Sequence, residues 1–486
     1  MPKQKSIFAR MSRLDADLEN APDYESWRQV AQEIDRATGA AEWQEQTSPA
    51  IYNARLLRAE SVEMGRRRAA GDALGLVDAV ESGLRRHRGD LAAPELYTTA
   101  LCGTQHTITE WLDEVDQSLR WLVDADIPGF SHAAKLARFR TAARVYGRSA
   151  LVLSGGATWG FHHLGVVSAL FDNGLLPDVM SGASTGAMVA AGVCTRTDAE
   201  LADMFAHPDQ IRLDGLKPVG VRTAARSRAW LDPAQLEAVL RNNVGMYTFA
   251  EAHARSGRIL NISVAPARSR QKPLLLSHLT TPEVWVHSAA LASSALPGLF
   301  PPAMLQARAR GGGAVPYSPD ERWIDGSLYA DLPKQRLARL YNVNHFIFSQ
   351  TNPHALPFVR LHGRSGVLPA IASMAMSGAR AQGGMALEVV QRVTRPGSSP
   401  LRQATERGIA LFGQSYTGDI DIHPRFRAEL LRKVAVNPTR DDLASFIREG
   451  RNAVWPVLAR IRDQTRIERT FHVCLSQLEA RSAERA

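Results

Sequence analysis

Two glycines that flank Ser184, one two residues before it and one two residues after it, constrain the fold of this 486-residue chain more than any other feature. The serine stands between a short extended run, residues 178–180, and a run of small residues typical of a helix, residues 187–191. Gly182 and Gly186 supply the clearance that a sharp strand-to-helix turn needs, because a Cβ at either position would press against the neighbouring strand or helix. The pattern predicts such a turn, with Ser184 as a candidate nucleophile.

The sequence around this turn alternates between strand and helix patterns. A continuous apolar run, residues 150–153, ends in Ser154-Gly155-Gly156 and is typical of a buried parallel strand. Apolar residues at helical spacing follow it as far as Asn173-Gly174. Strands alternating with helices predict an α/β fold with a mainly parallel sheet covered on both faces. Further strands are expected at residues 259–264, 323–324 and 343–349, and a mobile Gly/Pro-rich loop at residues 308–320.

The two ends of the chain have a different character. Residues 1–145 contain apolar residues at helical spacing and no convincing strand pattern, so we expect a helical N-terminal domain, followed by a catalytic domain at 146–355. Residues 356–486 are expected to be mostly helical and to pack on the catalytic domain. Their apolar and arginine residues between Phe446 and Phe471 fit either a helix packed on protein or a basic helix on a lipid surface, with Pro456 kinking or splitting it.

Composition limits the class of protein. The net charge of +9 is spread among acidic residues along most of the chain, which favours solvated helix faces over a nucleic-acid site. Three scattered cysteines argue against a disulfide scaffold and a cysteine-based zinc site. The basic start has no apolar region behind it, and no apolar run reaches about 18 residues. We therefore expect a cytoplasmic protein with neither a signal peptide nor a transmembrane helix.

A glycine-rich loop at residues 154–160 joins a predicted strand to a predicted helix. Its backbone N–H groups and the positive end of the helix suit either a phosphate or a developing oxyanion. The loop lacks the Gly-Lys-Ser/Thr end of a phosphate-binding P-loop, so nucleotide binding is the weakest interpretation. We expect an oxyanion hole, in which each well-aimed donor is worth roughly 3 kcal/mol to the transition state.

Asp325 is the candidate partner of the serine. It ends a short predicted strand and is followed by Gly326, so its carboxylate is placed to reach Ser184 directly. To act as a base without histidine, it would need its pKa raised from about 3.9 by burial against an apolar wall. Asp-Gly is also an ordinary turn dipeptide, so the pair alone does not decide between a base and a turn residue.

Four ordered blocks resemble the patatin-like phospholipases, lipid acyl hydrolases that use a Ser-Asp dyad. They are the glycine loop with the helix start after it, the pentad around Ser184, the run at residues 292–300 and the turn at residues 325–327. Residues 331–354, residues 414–420 and the helical N-terminal region are similar to the triacylglycerol lipase branch of that family. The resemblance implies a three-layer α/β/α domain with a mainly parallel central sheet, a helical N-terminal domain and a helical C-terminal extension.

The resemblance also implies roles for individual residues and requires no metal or organic cofactor. Ala157 departs from it, because many relatives have a third glycine there, and Ser327 stands where others have glycine or alanine. The implied partner is a glycerolipid or phospholipid substrate, met in peripheral contact with a membrane or lipid droplet. The implied nucleophile is Ser184, the base Asp325, the oxyanion residues Gly155, Gly156, Ala157 and Thr158, the elbow glycines Gly182 and Gly186, and the dyad-turn glycine Gly326.

Two other functions stay open at this point. A Ser-Asp-His α/β-hydrolase is one, since histidines follow Asp325; we expect His345 to be packed in a strand, which leaves His354 as the histidine to test. One of His162 and His163 is expected to line the site. The other function is a catalytically silent scaffold on a lipid surface. The preferred ester, the acyl-chain length and the oligomeric state are not encoded in any motif.

Overall fold

The computed structural model describes residues 2–87, 90–268, 272–330, 332–352, 417–425 and 436–485. The chain divides into two compact units, one made of residues 1–148 and 452–486 and the other of residues 149–451. The domain boundaries predicted near residues 145 and 355 stay predictions. His354 and most of residues 356–435 lie outside the described residues.

The first unit begins with helices, which confirms the helical N-terminal region. Asp23 accepts the Ser26 N–H at 2.8 Å to start one helix, and Gly39, in the left-handed region at φ +80°, ends it. Trp111 lies in the core of the unit and is 3% exposed. The helices are α1 (Pro2–Asn20), α2 (Tyr24–Thr38), α3 (Ala40–Gln44), α4 (Ala54–Ala69), α5 (Ala73–His87), α6 (His106–Asp124) and α7 (His132–Tyr146).

The second unit is built on a central sheet. Its strands are β1 (Arg148–Leu153), β2 (Val179–Gly182), β3 (Ile259–Pro266), β4 (Leu274–Ser277), β7 (Trp323–Asp325), β8 (Val343–Ser349) and β9 (Ile420–Ile422), while β5 (Gln306–Arg308) and β6 (Ala314–Pro316) form a separate antiparallel pair. Within the described residues the order is β4-β3-β2-β1-β8-β9, with β7 also paired to β3. The pairs β1/β2, β2/β3 and β8/β9 are parallel, and β4 and β7 run antiparallel to β3. The predicted mainly parallel α/β sheet is confirmed.

Helices follow the strands of this unit. They are α8 (His162–Asp172), α9 (Thr185–Cys194), α10 (Asp198–Ala206), α11 (Val221–Ser227), α12 (Pro233–Val244), α13 (Phe249–Ser256), α14 (Val286–Ser293), α15 (Ser327–Ala330), α16 (Lys334–Tyr341) and the start of α17 (Arg440–Gln464). The first of them ends as predicted, with Asn173 as its cap and Gly174 at φ +64°. Helices α8 and α17 approach closely at Gly165, where an added Cβ would lie 1.9 Å from the Ile447 carbonyl oxygen.

Two expectations for irregular segments are wrong. Residues 308–320 are not loop throughout, because β5 and β6 pair as a hairpin whose turn contains Gly312 and Gly313, both at positive φ. Pro456 does not split its helix, which runs without interruption from Arg440 to Gln464, and the alternative of a kink at Pro456 stays a prediction. The chain instead breaks after Gln464, and α18 (Arg466–Arg485) follows.

The apolar residues of the C-terminal helices are buried in protein. Ile467 and Phe471 of α18 join the core of the first unit, and Leu458 and Ile461 of α17 are fully buried. This apolar face is therefore covered and is not free to enter a lipid layer. In the part of the chain that the structure describes, no helix combines the length and apolar character needed to cross a bilayer.

Candidate active site

Ser184 sits on a strained turn between β2 and α9. Its backbone has φ +53° and ψ −127°, a conformation that costs energy for a residue with a Cβ. The flanking glycines make the turn possible. A Cβ on Gly182 would lie 2.3 Å from the Gly186 carbonyl oxygen, and one on Gly186 would lie 2.3 Å from the Leu153 carbonyl oxygen of β1.

A second serine holds this turn in place. The Ser184 N–H donates to Oγ of Ser293, at 3.0 Å, and the Ser293 hydroxyl donates to the Ser263 carbonyl oxygen at 2.7 Å. Ser293 is fully buried at the end of α14. The Ser184 N–H is thus occupied, and α14 and β3 fix the orientation of the turn.

Asp325, the last residue of β7, lies close to the Ser184 turn. Its backbone lies opposite Val264 of β3, and Gly326 lets the two segments approach, since a Cβ there would lie 2.1 Å from the Ser263 carbonyl oxygen. The carboxylate is 1% exposed and accepts the Ser327 N–H at 2.8 Å. The hydroxyls of Ser184 and Ser327 also interact with this carboxyl and lower its pKa. The predicted serine and aspartate thus lie in the same site, and their pairing as a dyad stays a prediction.

Burial changes the pKa of the Asp325 carboxyl. Burial raises its pKa from 3.8 to about 6, and the hydrogen bonds from Ser327 and Ser184 partly oppose that rise. The group is therefore mostly ionised at neutral pH, yet basic enough to accept a proton from a hydroxyl.

The glycine loop lies beside both groups. A Cβ on Gly155 would lie 2.9 Å from Ser327 Cβ, and one on Gly156 would lie 2.2 Å from Thr351 Oγ1, so neither position accepts a side chain. Ala157 has φ +48°, which a glycine would adopt without strain. Within the described residues, the N–H groups of Gly156 and Ala157 have no acceptor. These two N–H groups are therefore available to bind an oxyanion.

Side chains from α8 and β8 hold the glycine loop. His163 Nε2 lies 2.9 Å from the Ser154 carbonyl oxygen and Nδ1 lies 2.7 Å from Ser349 Oγ. Because the carbonyl oxygen only accepts, Nε2 carries the proton and Nδ1 accepts from the serine. Burial lowers the pKa of His163 to about 4, so the ring is neutral. Thr351 completes the clamp by donating from Oγ1 to the Gly155 carbonyl oxygen at 3.0 Å.

In the part of the chain that the structure describes, the histidines predicted near the site do not contact the serine. His162 and His163 are both buried and line no part of the cavity, so the expectation that one of them does is wrong. His345 is bonded to the Ser149 hydroxyl through Nδ1, at 3.0 Å, in line with a packed strand residue. Among the described residues, no histidine hydrogen-bonds Ser184.

A cavity of about 480 Å³ opens at Ser184. Ser184, Met188 and Gly192 line it at successive turns of α9, and leucines of α12 face them. Ala157 and Thr158 also line it, whereas the side chain of Asp325 is buried. Its lining is mostly apolar. The charged residues that line it are Arg196, Glu200, Asp203, Arg212 and Arg255, and Arg196, which follows α9, donates to the Gly192 carbonyl oxygen. A long apolar chain attached to a group at Ser184 fits this shape.

Sequence reasoning did not predict the supporting roles of Ser293, His163 and Thr351, although it expected one of His162 and His163 to line the site. Ser293, His163 and Thr351 act through other groups, and no spacing rule connects them to Ser184. Ser293 lies in the run at residues 292–300 that carries the family resemblance, which is the one signal that points to it. In the described part of the chain, no three His, Cys, Asp or Glu side chains cluster in a way that could bind a metal ion.

Comparison with known proteins gives consistent matches. The family model for Patatin-like phospholipase matches residues 151–336, and that for a domain of unknown function, DUF3336, matches residues 5–144. The chain is 33% identical to the triacylglycerol lipase SDP1L of Arabidopsis thaliana, over 95% of this chain and 59% of that protein. It is 30% identical to a patatin-like phospholipase domain-containing protein of Neosartorya fischeri, over 96% of this chain and 69% of that one.

These relatives are longer than the chain, which spans little more than half to about two thirds of their length. Among solved structures, VipD from Legionella pneumophila aligns with 62% of this chain and 67% of its own, at 13% identity and a TM-score of 0.27. That score is too low to support a structural argument.

Proposed function

Since this chain belongs to the patatin-like phospholipase family, we propose that it is a serine hydrolase that cleaves fatty-acyl esters. In this proposal Ser184 Oγ attacks the ester carbonyl while Asp325 takes the hydroxyl proton. The proton then passes to the departing alcohol oxygen, which leaves an acyl group on Ser184. Water attacks this acyl-enzyme, Asp325 takes one of its protons and returns it to Ser184, and the fatty acid is released.

One observation carries the proposal: the Ser184 hydroxyl interacts with a buried carboxylate whose pKa is raised to about 6. A carboxylate with its ordinary pKa near 3.9 would be a weak base toward a hydroxyl, and an exposed one would be solvated by water. Burial at 1% exposure removes that water. The positive φ of Ser184 supports the same role, because strain of this kind is kept where function requires it.

The oxyanion of the tetrahedral intermediate is assigned to the N–H groups of Gly156 and Ala157. Neither has another acceptor in the described part of the chain, so both are available without breaking a bond. His163 and Thr351 fix the loop before substrate arrives, which lowers the reorganisation needed during the reaction. Each such donor contributes roughly 3 kcal/mol to transition-state binding.

The cavity along α9 is assigned to the acyl chain. Ser184 and Gly192 are eight residues apart along this face, or roughly 12 Å, about the reach of a ten-carbon acyl chain. Beyond Gly192, the guanidinium of Arg196 disfavours further methylenes, because they would displace its solvation. The plant relative named a triacylglycerol lipase makes triacylglycerol the first substrate to test, with phospholipids second.

Two alternatives are kept as outcomes of the test. A Ser-Asp-His hydrolase would need a histidine on the Ser184 hydroxyl, and the described residues provide none. A silent scaffold on a lipid surface would bind lipid and release no fatty acid. Contact with a membrane or droplet surface and a cytoplasmic location stay parts of the proposal.

A panel of triacylglycerols, phospholipids and lysophospholipids, with products resolved by mass, tests the proposal. We expect fatty acid release by the wild type and none by Ser184→Ala or Asp325→Asn. Ser294→Ala is the matched control, because that cavity-lining hydroxyl is already bonded to the Ala290 carbonyl oxygen at 2.8 Å. Turnover retained in Asp325→Asn, or absent in every protein, would contradict the dyad.

A further inference from the structure

The segment at residues 217–230 lies next to the cavity, and its two ends are hydrogen-bonded to each other. The Val219 N–H donates to the Trp230 carbonyl oxygen at 2.9 Å, and the Asp232 N–H donates to the Lys217 carbonyl oxygen at 2.9 Å. Helix α11 occupies the tip, and among its residues Ala224 is buried. We call residues 217–230 the basic segment.

All the charged residues of the basic segment are positive. It contains Lys217, Arg222, Arg226 and Arg228 and no acidic residue. All four side chains are exposed, and none forms an ion pair in the described part of the chain. The nearest acidic residues in sequence are engaged elsewhere: Asp214 pairs with Arg212, and Asp232 accepts the Ala234 N–H as a helix cap. The positive charge is therefore uncompensated.

Apolar side chains are exposed on the same segment. Val221 is 75% exposed and Trp230 is 59% exposed. An exposed tryptophan beside several cations is costly in water and favourable at a lipid interface, where the indole lies at headgroup level and the cations face anionic lipid. A nucleic acid would use the cations and gain little from Val221.

The segment is joined to the wall of the cavity at both ends. Gly215 and Leu216, which line the cavity, lead into it. At the other end, the Trp230 N–H donates to the Gly298 carbonyl oxygen at 3.3 Å, and the Leu231 N–H to the Leu299 carbonyl oxygen at 2.9 Å; Leu299 also lines the cavity. A surface bound by this segment therefore lies beside the cavity that contains Ser184.

We propose that the basic segment is the docking surface for an anionic lipid layer and presents the cavity to it. The inference rests on the proposed function, because only a lipid-ester hydrolase needs its cavity at such a surface. It places the lipid contact in the catalytic unit and not on the apolar face of the C-terminal helices, which is buried.

Vesicle co-sedimentation of the full chain tests the proposal, with phosphatidylcholine vesicles and vesicles containing about 30% phosphatidylserine. We expect the wild type to bind the anionic vesicles and Arg222→Glu/Arg226→Glu to bind at least about tenfold more weakly. Arg310→Glu/Arg339→Glu applies the same charge change to exposed arginines outside the segment and should bind as the wild type does. Trp230→Ser should weaken the binding that remains at high salt, since that part is not electrostatic.

Hydrolysis of a water-soluble butyrate ester separates this inference from the proposed function. The segment variants should keep that activity and lose hydrolysis of ester presented in anionic vesicles. Absence of soluble-ester hydrolysis in the wild type would contradict the proposed function. The docking surface would be overturned by equal binding of the segment and control variants, or by equal binding to neutral and anionic vesicles.

Discussion

The buried Asp325 carboxylate should lower the stability of the protein at the pH where it serves as a base. Its pKa of about 6 in the folded state compares with 3.8 for an exposed aspartate, a rise of about 2 units. At about 1.4 kcal/mol per unit, ionising the buried group costs about 3 kcal/mol of folding free energy. Because the folded pKa is raised, this cost is absent below pH 3.8 and develops fully as the pH rises through about 6.

Asp325→Asn removes the charge and keeps the shape. We therefore expect the variant to be more stable than the wild type by up to about 3 kcal/mol near pH 8, with the difference closing near pH 4. Urea unfolding of both proteins across that pH range measures it. Asp209→Asn, at an exposed aspartate, should show no comparable gain. A variant that is no more stable near pH 8 than near pH 4 would refute the reasoning from burial.

Other substitutions probe the cavity and the turns. Gly192→Leu places a side chain in the cavity and should lower the rate of hydrolysis of long-chain relative to short-chain esters at least about tenfold. That factor corresponds to the displacement of two methylenes from the cavity. An unchanged ratio of the two rates would place the acyl chain elsewhere. Ala157→Gly should relieve the strain at φ +48° and stabilise the protein by about 0.5–1 kcal/mol in urea unfolding, while Ala157→Val destabilises it. Ser293→Ala should lower the free energy of unfolding by about 1–3 kcal/mol, because it leaves the Ser184 N–H without its acceptor. It should also lower kcat more than it raises KM, and an unchanged kcat would exclude a positioning role.

Local patterns were sufficient to predict the central strands and the turns at their ends. The apolar runs that became β1, β3 and the second half of β8 are buried on both faces, and glycine positions mark where the chain turns sharply. Strands β4 and β9 were missed because no recognisable turn motif follows them, whereas the equally short β2 and β7 lead into the turns at Ser184 and Gly326. The hairpin of β5 and β6 was missed because glycine and proline between short strands have the same composition as a loop.

The candidate site likewise contains some residues that a local sequence pattern predicts and others that it does not. Ser184, Gly182 and Gly186 are close in sequence, so a local pattern predicts their turn. Asp325 was placed by its resemblance to a family, since an Asp-Gly pair alone also suits a turn. The clamp formed by His163 joins α8 to β8 across 186 residues of sequence, and no local pattern encodes that contact. The basic segment was likewise hidden, because exposure cannot be read from charge alone.

Covalent labelling of Ser184 tests the central claim most directly. Incubation with a fluorophosphonate ester, followed by peptide mass spectrometry, reports which side chain is the nucleophile. We expect one adduct on Ser184 in the wild type and in Ser294→Ala, with a labelling rate that rises with pH through about 6, where Asp325 ionises. Labelling of a different residue, or a Ser184 adduct formed as fast in Asp325→Asn as in the wild type, would contradict the Ser184–Asp325 dyad.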